Sequence, residues 1–260
     1  MINVKLLVLL FTAHLLIAPH AQAQSPKVIR IAAPEYWCPY ACSAEDKLQG
    51  FAIEITRAAF NEVGIKVEYS NKPYDRILAE VASGKLDAVI PTFKSEAPNF
   101  IYPQQSISTT QYCFYTIDSH WRFSGMHSIK DTLFGVTSGY SYSPEMDRFI
   151  EAHRDKQVQV LHGNNIPQRM HQMVVSGRFQ AFLEDTRLVD FLVKTKGLGD
   201  KLKRSGCINI ISHGYLALSP ADTKRSQNFS KLFDSGLNAI KLTNIPNKIL
   251  KKYGVKDGVN

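Results

Sequence analysis

The sequence predicts an α/β protein made of two similar lobes, and three observations predict it. One stretch of chain occurs twice, each copy alternates strand and helix, and the composition suits a chain that buries apolar cores. Val81-Ala82-Ser83-Gly84-Lys85-Leu86-Asp87-Ala88-Val89-Ile90 reappears as Val174-Val175-Ser176-Gly177-Arg178-Phe179-Gln180-Ala181-Phe182-Leu183, at an offset of 93 residues. The same offset pairs Asn71 with Asn164, Arg76 with Arg169 and Ile77 with Met170. Of the 260 residues 44% are hydrophobic and 21% charged, with 15 Gly and 12 Pro, which excludes collagen-like, mucin-like and disordered chains.

Residues 1–23 read as a signal peptide. Lys5 supplies the positive charge, Leu6 to Ile17 is apolar apart from Thr12 and His14, and Ala21-Gln22-Ala23 gives the small residues of a cleavage site. Twelve residues fall short of the roughly 20 that a membrane span needs. No Cys follows for a lipid anchor, so the expectation is an exported, soluble protein. The formal charge is +8, from 31 Lys and Arg against 23 Asp and Glu. Those basic residues are dispersed, without a run of five or a zinc-finger spacing, and a diffuse positive surface is expected rather than a nucleic-acid site.

Export to an oxidising compartment directs the four cysteines toward disulfides. Trp37-Cys38-Pro39-Tyr40-Ala41-Cys42 places two of them close together, and a Cys38–Cys42 bridge would close a tight loop around Pro39. The C-x3-C spacing lacks a thioredoxin-like surround, which argues against a redox site. Cys113 and Cys207 stand alone, and the three possible pairings remain open at this level. The histidines show no ligand-like spacing, so neither a metal nor a cofactor is expected.

Within the first copy, Ile65-Lys66-Val67-Glu68-Tyr69 alternates as a strand does. Ile77, Leu78 and Val81 then recur at helical spacing, and Gly84 stands where a helix end takes a left-handed residue. A short apolar strand follows. The second copy repeats this with Val158-Gln159-Val160-Leu161, then Met170, Met173 and Val174, then Gly177. Such alternation implies parallel sheets with right-handed crossovers, in two units each the size of a small domain. Ligands of open parallel sheets sit beyond the carboxyl ends of the strands. Those ends are Pro91-Thr92-Phe93-Lys94 and Glu184-Asp185-Thr186, so facing lobes would set a cation opposite an acidic pair.

Further motifs carry a resemblance. Val28-Ile29-Arg30-Ile31-Ala32-Ala33 leads to Trp37-Cys38-Pro39-Tyr40, and Gly50-Phe51-Ala52-Ile53-Glu54-Ile55 opens a helix. Ser83-Gly84-Lys85-Leu86-Asp87-Ala88 turns from helix to strand, Gly135-Val136-Thr137-Ser138-Gly139 is glycine-rich, and Ile249-Leu250-Lys251-Lys252-Tyr253-Gly254 reads as a last helix. In this order and spacing the chain resembles the periplasmic solute-binding proteins of ABC transporters, of the polar amino-acid-binding, family 3 type.

The resemblance implies a two-lobed periplasmic binding protein-like fold (type II), each lobe a mixed, mostly parallel sheet flanked by helices. Lobe 1 would be residues 27–112 and 210–257, and lobe 2 residues 114–207, with hinge strands near 111–115 and 213–218. Cys113 and Cys207 would then lie near the hinge, as a second disulfide. It further implies a periplasmic monomer that closes on a small polar solute, an amino acid or related amine-bearing compound, for delivery to the membrane subunits of an ABC importer.

Residue by residue, the family's carboxylate-clamping Arg has no counterpart in Thr92-Phe93-Lys94-Ser95-Glu96; Lys94 offers charge without the planar fork. The acidic residue for a ligand amine matches Asp185, beside Glu184; the other role open to Asp185 is a helix N-cap. Tyr36, Trp37, Tyr74, Phe93 and Tyr140 would line the cleft with rings able to attract an ammonium group. Gly139, Tyr140 and Ser141 match the second-lobe turn that meets the ligand, and Asn164 follows a strand end. The expected ligand-binding set is therefore Trp37, Tyr74, Thr92, Phe93, Lys94, Gly139, Tyr140, Ser141, Asn164 and Asp185. Two alternatives share the scaffold: a ligand sensor for a membrane receptor, and an enzyme resembling the cyclohexadienyl dehydratases with Glu184 or Asp185 as general acid.

Overall fold

The computed structural model describes residues 27–34, 37–163, 165–197 and 202–255. The expected signal peptide (1–23), Tyr36 and Asn164 lie outside the described residues. Among the described residues, two five-stranded sheets organise the chain. The first takes β1 (Lys27–Ala33), β2 (Ile65–Asn71), β3 (Ala88–Thr92), β4 (Ser108–Thr110) and β10 (Ser212–Leu218). The second takes β5 (Tyr112–Thr116), β6 (Phe134–Thr137), β7 (Val158–Leu161), β8 (Ala181–Asp185) and β9 (Lys203–Cys207). Their orders are β2-β1-β3-β10-β4 and β7-β6-β8-β5-β9. In each, the first three strands run parallel and the fourth runs against its two neighbours.

Helices connect the parallel strands, as right-handed crossovers require. They are α1 (Phe51–Glu62) and α2 (Tyr74–Ala82) on the first sheet, and α3 (Pro144–His153) and α4 (Ile166–Val175) on the second. The 93-residue offset carries β3 onto β8 and the start of α1 onto the start of α3; α2 and α4 begin one residue out of step. Gly84 and Gly177, equivalent in the repeat, both have φ above +70°, which glycine adopts without Cβ strain. The repeat departs most before α1, where the link from β1 is longer than that from β6 to α3 and carries the Cys38–Cys42 loop.

Strand alternation assigns the cores. Ile29, Ile31, Ala33, Ala88, Ile90, Leu216 and Leu218 face α1, α6 (Thr223–Leu242) and α7 (Ile245–Tyr253), while Ala32, Val89 and Ala217 face Ile77 and Val81 of α2. In the second sheet Phe114, Phe134, Val136, Ala181 and Leu183 meet Met146 and Ile150 of α3. On its other face Cys113, Tyr115 and Phe182 meet Met170 and Val174 of α4 and Val189 of α5 (Thr186–Lys196).

The chain leaves the first sheet at Gln111 and returns to it through Ile208–Ile211. The segments 111–115 and 213–218 are thus largely β5 and β10 themselves, one in each sheet. Cys113 and Cys207 sit opposite each other in the β5–β9 register and form the second disulfide. Although α5 follows a strand of the second sheet, it also leans on the first lobe: Phe191 packs against Tyr253, and Lys194 Nζ donates to the carbonyls of Lys251 and Lys252, each at 2.9 Å. A cation at the C-terminal carbonyls of α7 complements the helix dipole.

Candidate functional site

The loop between β1 and α1 builds one wall. The Cys38–Cys42 disulfide and a bond from Ala41 N to Trp37 O (3.0 Å) fold it into a tight turn. Its Pro39 and Tyr40 carbonyls accept the first two amides of α1, Phe51 N at 2.8 Å and Ala52 N at 3.1 Å. Gly50 permits that approach. At φ +106° a Cβ there would lie 2.4 Å from the Tyr40 carbonyl oxygen. The turn seats Trp37 stacked on Tyr40 (centroids 5.1 Å apart) and edge-on to Phe93 (6.1 Å).

The loop after β3 supplies the next wall. Glu96 N bonds to Phe93 O at 3.0 Å, closing a turn that carries Lys94 and Ser95 at its tip. Glu96 Oε2 accepts from Phe93 N (3.1 Å) and lies within hydrogen-bond distance of Tyr74 Oη (2.7 Å) and Thr92 Oγ1 (2.9 Å), two hydroxyls that also touch each other and share two protons among these contacts. Burial, followed by the Glu96 charge, drives the Tyr74 hydroxyl pKa far above the usual phenol range, so it stays a donor. Lys94 Nζ lies 4.5 Å from the ring centre of Tyr215 and 5.6 Å from that of Tyr102.

Opposite stands the loop after β6. Ser138 N bonds to Leu161 O (2.9 Å), Gly139 turns at φ +80°, and Ser141 Oγ donates to Asp147 of α3 at 2.7 Å. Tyr140 is 6.1 Å from both Tyr112 and Tyr142, centre to centre. Between the walls lies a cavity of ≈ 580 Å³, lined from the first lobe by Trp37, Tyr74 and Phe93–Glu96 and from the second by Tyr112 and Ser138–Ser141. Pro34, Ser212, His213 and Tyr215 complete it. A second cavity of ≈ 870 Å³ shares Ser138 and Tyr140 and runs from Cys38 toward the start of α4 and along α5.

Of the residues singled out in the sequence, the structure brings Trp37, Tyr74, Phe93, Lys94, Gly139, Tyr140 and Ser141 to one cavity, with Thr92 directly behind through its bonds to Tyr74 and Glu96. Asn164 lies outside the described residues, and its neighbour Asn165 borders the second cavity.

Asp185 sits elsewhere. Only 1% exposed, it is absent from the lining of both cavities. Helix α5 begins at the very next residue, so the carboxylate turns to its own helix and accepts from Leu188 N (3.0 Å). The same Oδ1 accepts from the buried Tyr40 hydroxyl of the first lobe at 2.9 Å. The N-cap role is therefore the one this structure displays. Glu184, fully buried, accepts from Thr137 Oγ1 (3.0 Å) and Asp185 N (2.8 Å). Burial pushes Glu184 up to about 8 and Asp185 up to about 6, because charge is costly without solvent. The two acids named for dehydratase chemistry are thus buried and line neither cavity.

The sequence reading missed Pro34, Ser95, Glu96, Tyr112, Ser138, Ser212, His213 and Tyr215. Glu96 had a local signal, a carboxylate four residues past the strand-end Thr92. Tyr112 and Tyr215 had none, since they converge only when β5 and β10 occupy equivalent places in separate sheets.

The profile of the bacterial extracellular solute-binding proteins, family 3, matches residues 29–256. No curated protein matches the chain. Among solved structures, it is similar to the probable amino-acid ABC transporter extracellular-binding protein of Bacillus subtilis, with TM-score 0.70, 15% identity, and 88% and 98% of the two chains covered. It is also similar to the unliganded, open L-cystine solute receptor of Neisseria gonorrhoeae, with TM-score 0.67, 18% identity and coverage of 90% and 96%. An ancestral arginine-binding protein bound to arginine gives TM-score 0.64, 20% identity and coverage of 87% and 97%. At these identities the likeness establishes the fold.

Proposed function

Because the chain belongs to the bacterial extracellular solute-binding proteins, family 3, we propose that it carries a small amine-bearing solute, an amino acid or close relative, to the membrane subunits of an ABC importer. In this reading it works as a monomer in the periplasm. The single observation that carries the reading is the cavity of ≈ 580 Å³ walled by both lobes, at the carboxyl ends of β1, β3 and β6. Its volume falls among small-molecule sites, which run from about 300 to 1,000 Å³. A ligand there touches the Phe93–Glu96 turn and the Ser138–Ser141 turn together, and that shared contact is what favours a closed arrangement of the lobes. The proposed contacts are the rings of Trp37, Tyr74, Phe93 and Tyr140, the Lys94 ammonium, and the amides and hydroxyl of Gly139 and Ser141. The probable amino-acid ABC transporter binding protein and the L-cystine solute receptor among its structural neighbours support this choice. Among the described residues no helix is long and apolar enough to cross a membrane.

The test is a thermal-shift panel of the twenty standard amino acids, L-cystine, putrescine and glycine betaine. At a hundredfold excess over Kd a ligand of the folded state adds about 2.7 kcal/mol. For a chain of this size that raises the melting temperature by about 5–10 °C. At least one amino acid is expected to do so. A panel without any shift would overturn the proposal.

A further inference from the structure

The full charges along the proposed solute site are few and informative. Lys94 and Glu96 stand two residues apart on one turn, both exposed, and both line the cavity. Among the described residues neither takes part in an ion pair. Lys94 rests on ring faces, which leave its N–H donors available to an acid group. Glu96 holds its turn through Oε2 alone; no hydrogen bond reaches Oε1 among the described residues. Asp185, by contrast, is buried and does not line the cavity; Tyr40 and its own helix engage Oδ1, and Oδ2 is buried without a partner among the described residues.

The remainder of the lining is dominated by rings. Trp37, Tyr74, Phe93 and Tyr215 come from the first lobe, and Tyr112 and Tyr140 from the second. Ring faces from two opposed walls suit a flat apolar group, through offset or edge-on contacts about 4.5–7 Å apart.

Resting on the reading of the cavity as an amino-acid site, we propose that it selects an aromatic amino acid, with Glu96, not Asp185, receiving the ammonium group. Lys94 meets the carboxylate, and the rings of the two lobes enclose the side chain. Glu96 thereby determines specificity as well as capping its turn, one oxygen serving each purpose.

Glu96→Gln separates the two roles. The amide keeps an acceptor oxygen for Tyr74, Thr92 and Phe93 N, and loses only the charge. Calorimetric titration of the wild type with L-phenylalanine, L-tyrosine and L-tryptophan is expected to show binding by at least one of them. For that compound Glu96→Gln should weaken binding at least tenfold while leaving the unliganded melting temperature within about 2 °C, and Asp185→Asn should change binding less than threefold. For L-phenylalanine, the desamino analogue 3-phenylpropanoate should bind wild type and Glu96→Gln within threefold of each other. Equal binding of the amino acid by wild type and Glu96→Gln overturns the assignment, as does a loss in Asp185→Asn that matches it. If the three aromatic amino acids fail while another panel amino acid binds, this inference falls and the solute-binding reading stands; if nothing binds, both fall.

Discussion

Replacing Cys113 and Cys207 together by serine is expected to lower the melting temperature by about 5–15 °C, a larger change than any single cleft substitution should produce. The two cysteines are 94 residues apart in sequence, yet face each other across β5 and β9 with Cα atoms 3.9 Å apart. A cross-link that closes a loop near 100 residues removes about 4.7 kcal/mol of chain entropy from the unfolded state, and native disulfides typically deliver about 2–5 kcal/mol. Its location adds a mechanical role, because Cys113 lies two residues past the outgoing crossing at Gln111 and Cys207 immediately precedes the return. Removing the Cys38–Cys42 bridge, which closes a separation of only 4, should cost about 2 kcal/mol by the same relation. That pair holds the turn seating Trp37, so its loss should appear in ligand affinity more than in stability. Scanning calorimetry of the two double variants tests the order; a Cys113/Cys207 variant that melts within 2 °C of the wild type would contradict it.

Glu184 produces the second large effect, as a dependence on pH. Its carboxyl is pushed up to about 8 by burial, against an ordinary value of 4.5. The folded chain therefore holds a proton that the unfolded chain has released across that interval. Stability from this group is full below about 4.5 and is lost as pH rises through 8, since the unfolded state binds fewer protons. The full loss is on the order of 5 kcal/mol. Asp185, raised to about 6, adds a smaller slope of the same sign at lower pH. Glu184→Gln keeps one acceptor oxygen, for Asp185 N, and turns an amide N–H toward the Thr137 hydroxyl, which can accept it, without titrating. Urea midpoints at pH 5 and pH 8.5 should fall steeply for the wild type and less for the variant, which becomes the more stable protein at pH 8.5. Parallel slopes would show that Glu184 is ionised in the folded state.

Much of this architecture is legible in the sequence, for identifiable reasons. The repeat reports local structure, and local rules decide it: the alternation in Ile65–Tyr69, the spacing of Ile77 and Val81, and the glycines at 84 and 177 recur as strand, helix and cap. The turn residues Gly139–Ser141 and the ring at Trp37 were reachable because each lies just beyond a strand that the motifs identify. Tyr112 and Tyr215 were not, since their approach depends on the exchange of strands between sheets, a long-range property that no window of sequence holds.

Asp185 illustrates a different limit. Glu184-Asp185-Thr186 reads equally as a strand end facing a ligand and as the cap of a helix. What decides is where Tyr40 sits, and Tyr40 is placed by a disulfide-closed turn 145 residues earlier. Glu96 was passed over for the converse reason. A carboxylate in a polar turn reads as a capping group, which it is, and only the cavity beside it reveals its second oxygen.

The most direct measurement is a crystal structure of the protein with the panel compound that gives the largest thermal shift. Ligand density is expected between the Phe93–Glu96 and Ser138–Ser141 turns, in contact with both lobes. Density confined to one lobe, or lying outside that cavity, would contradict it.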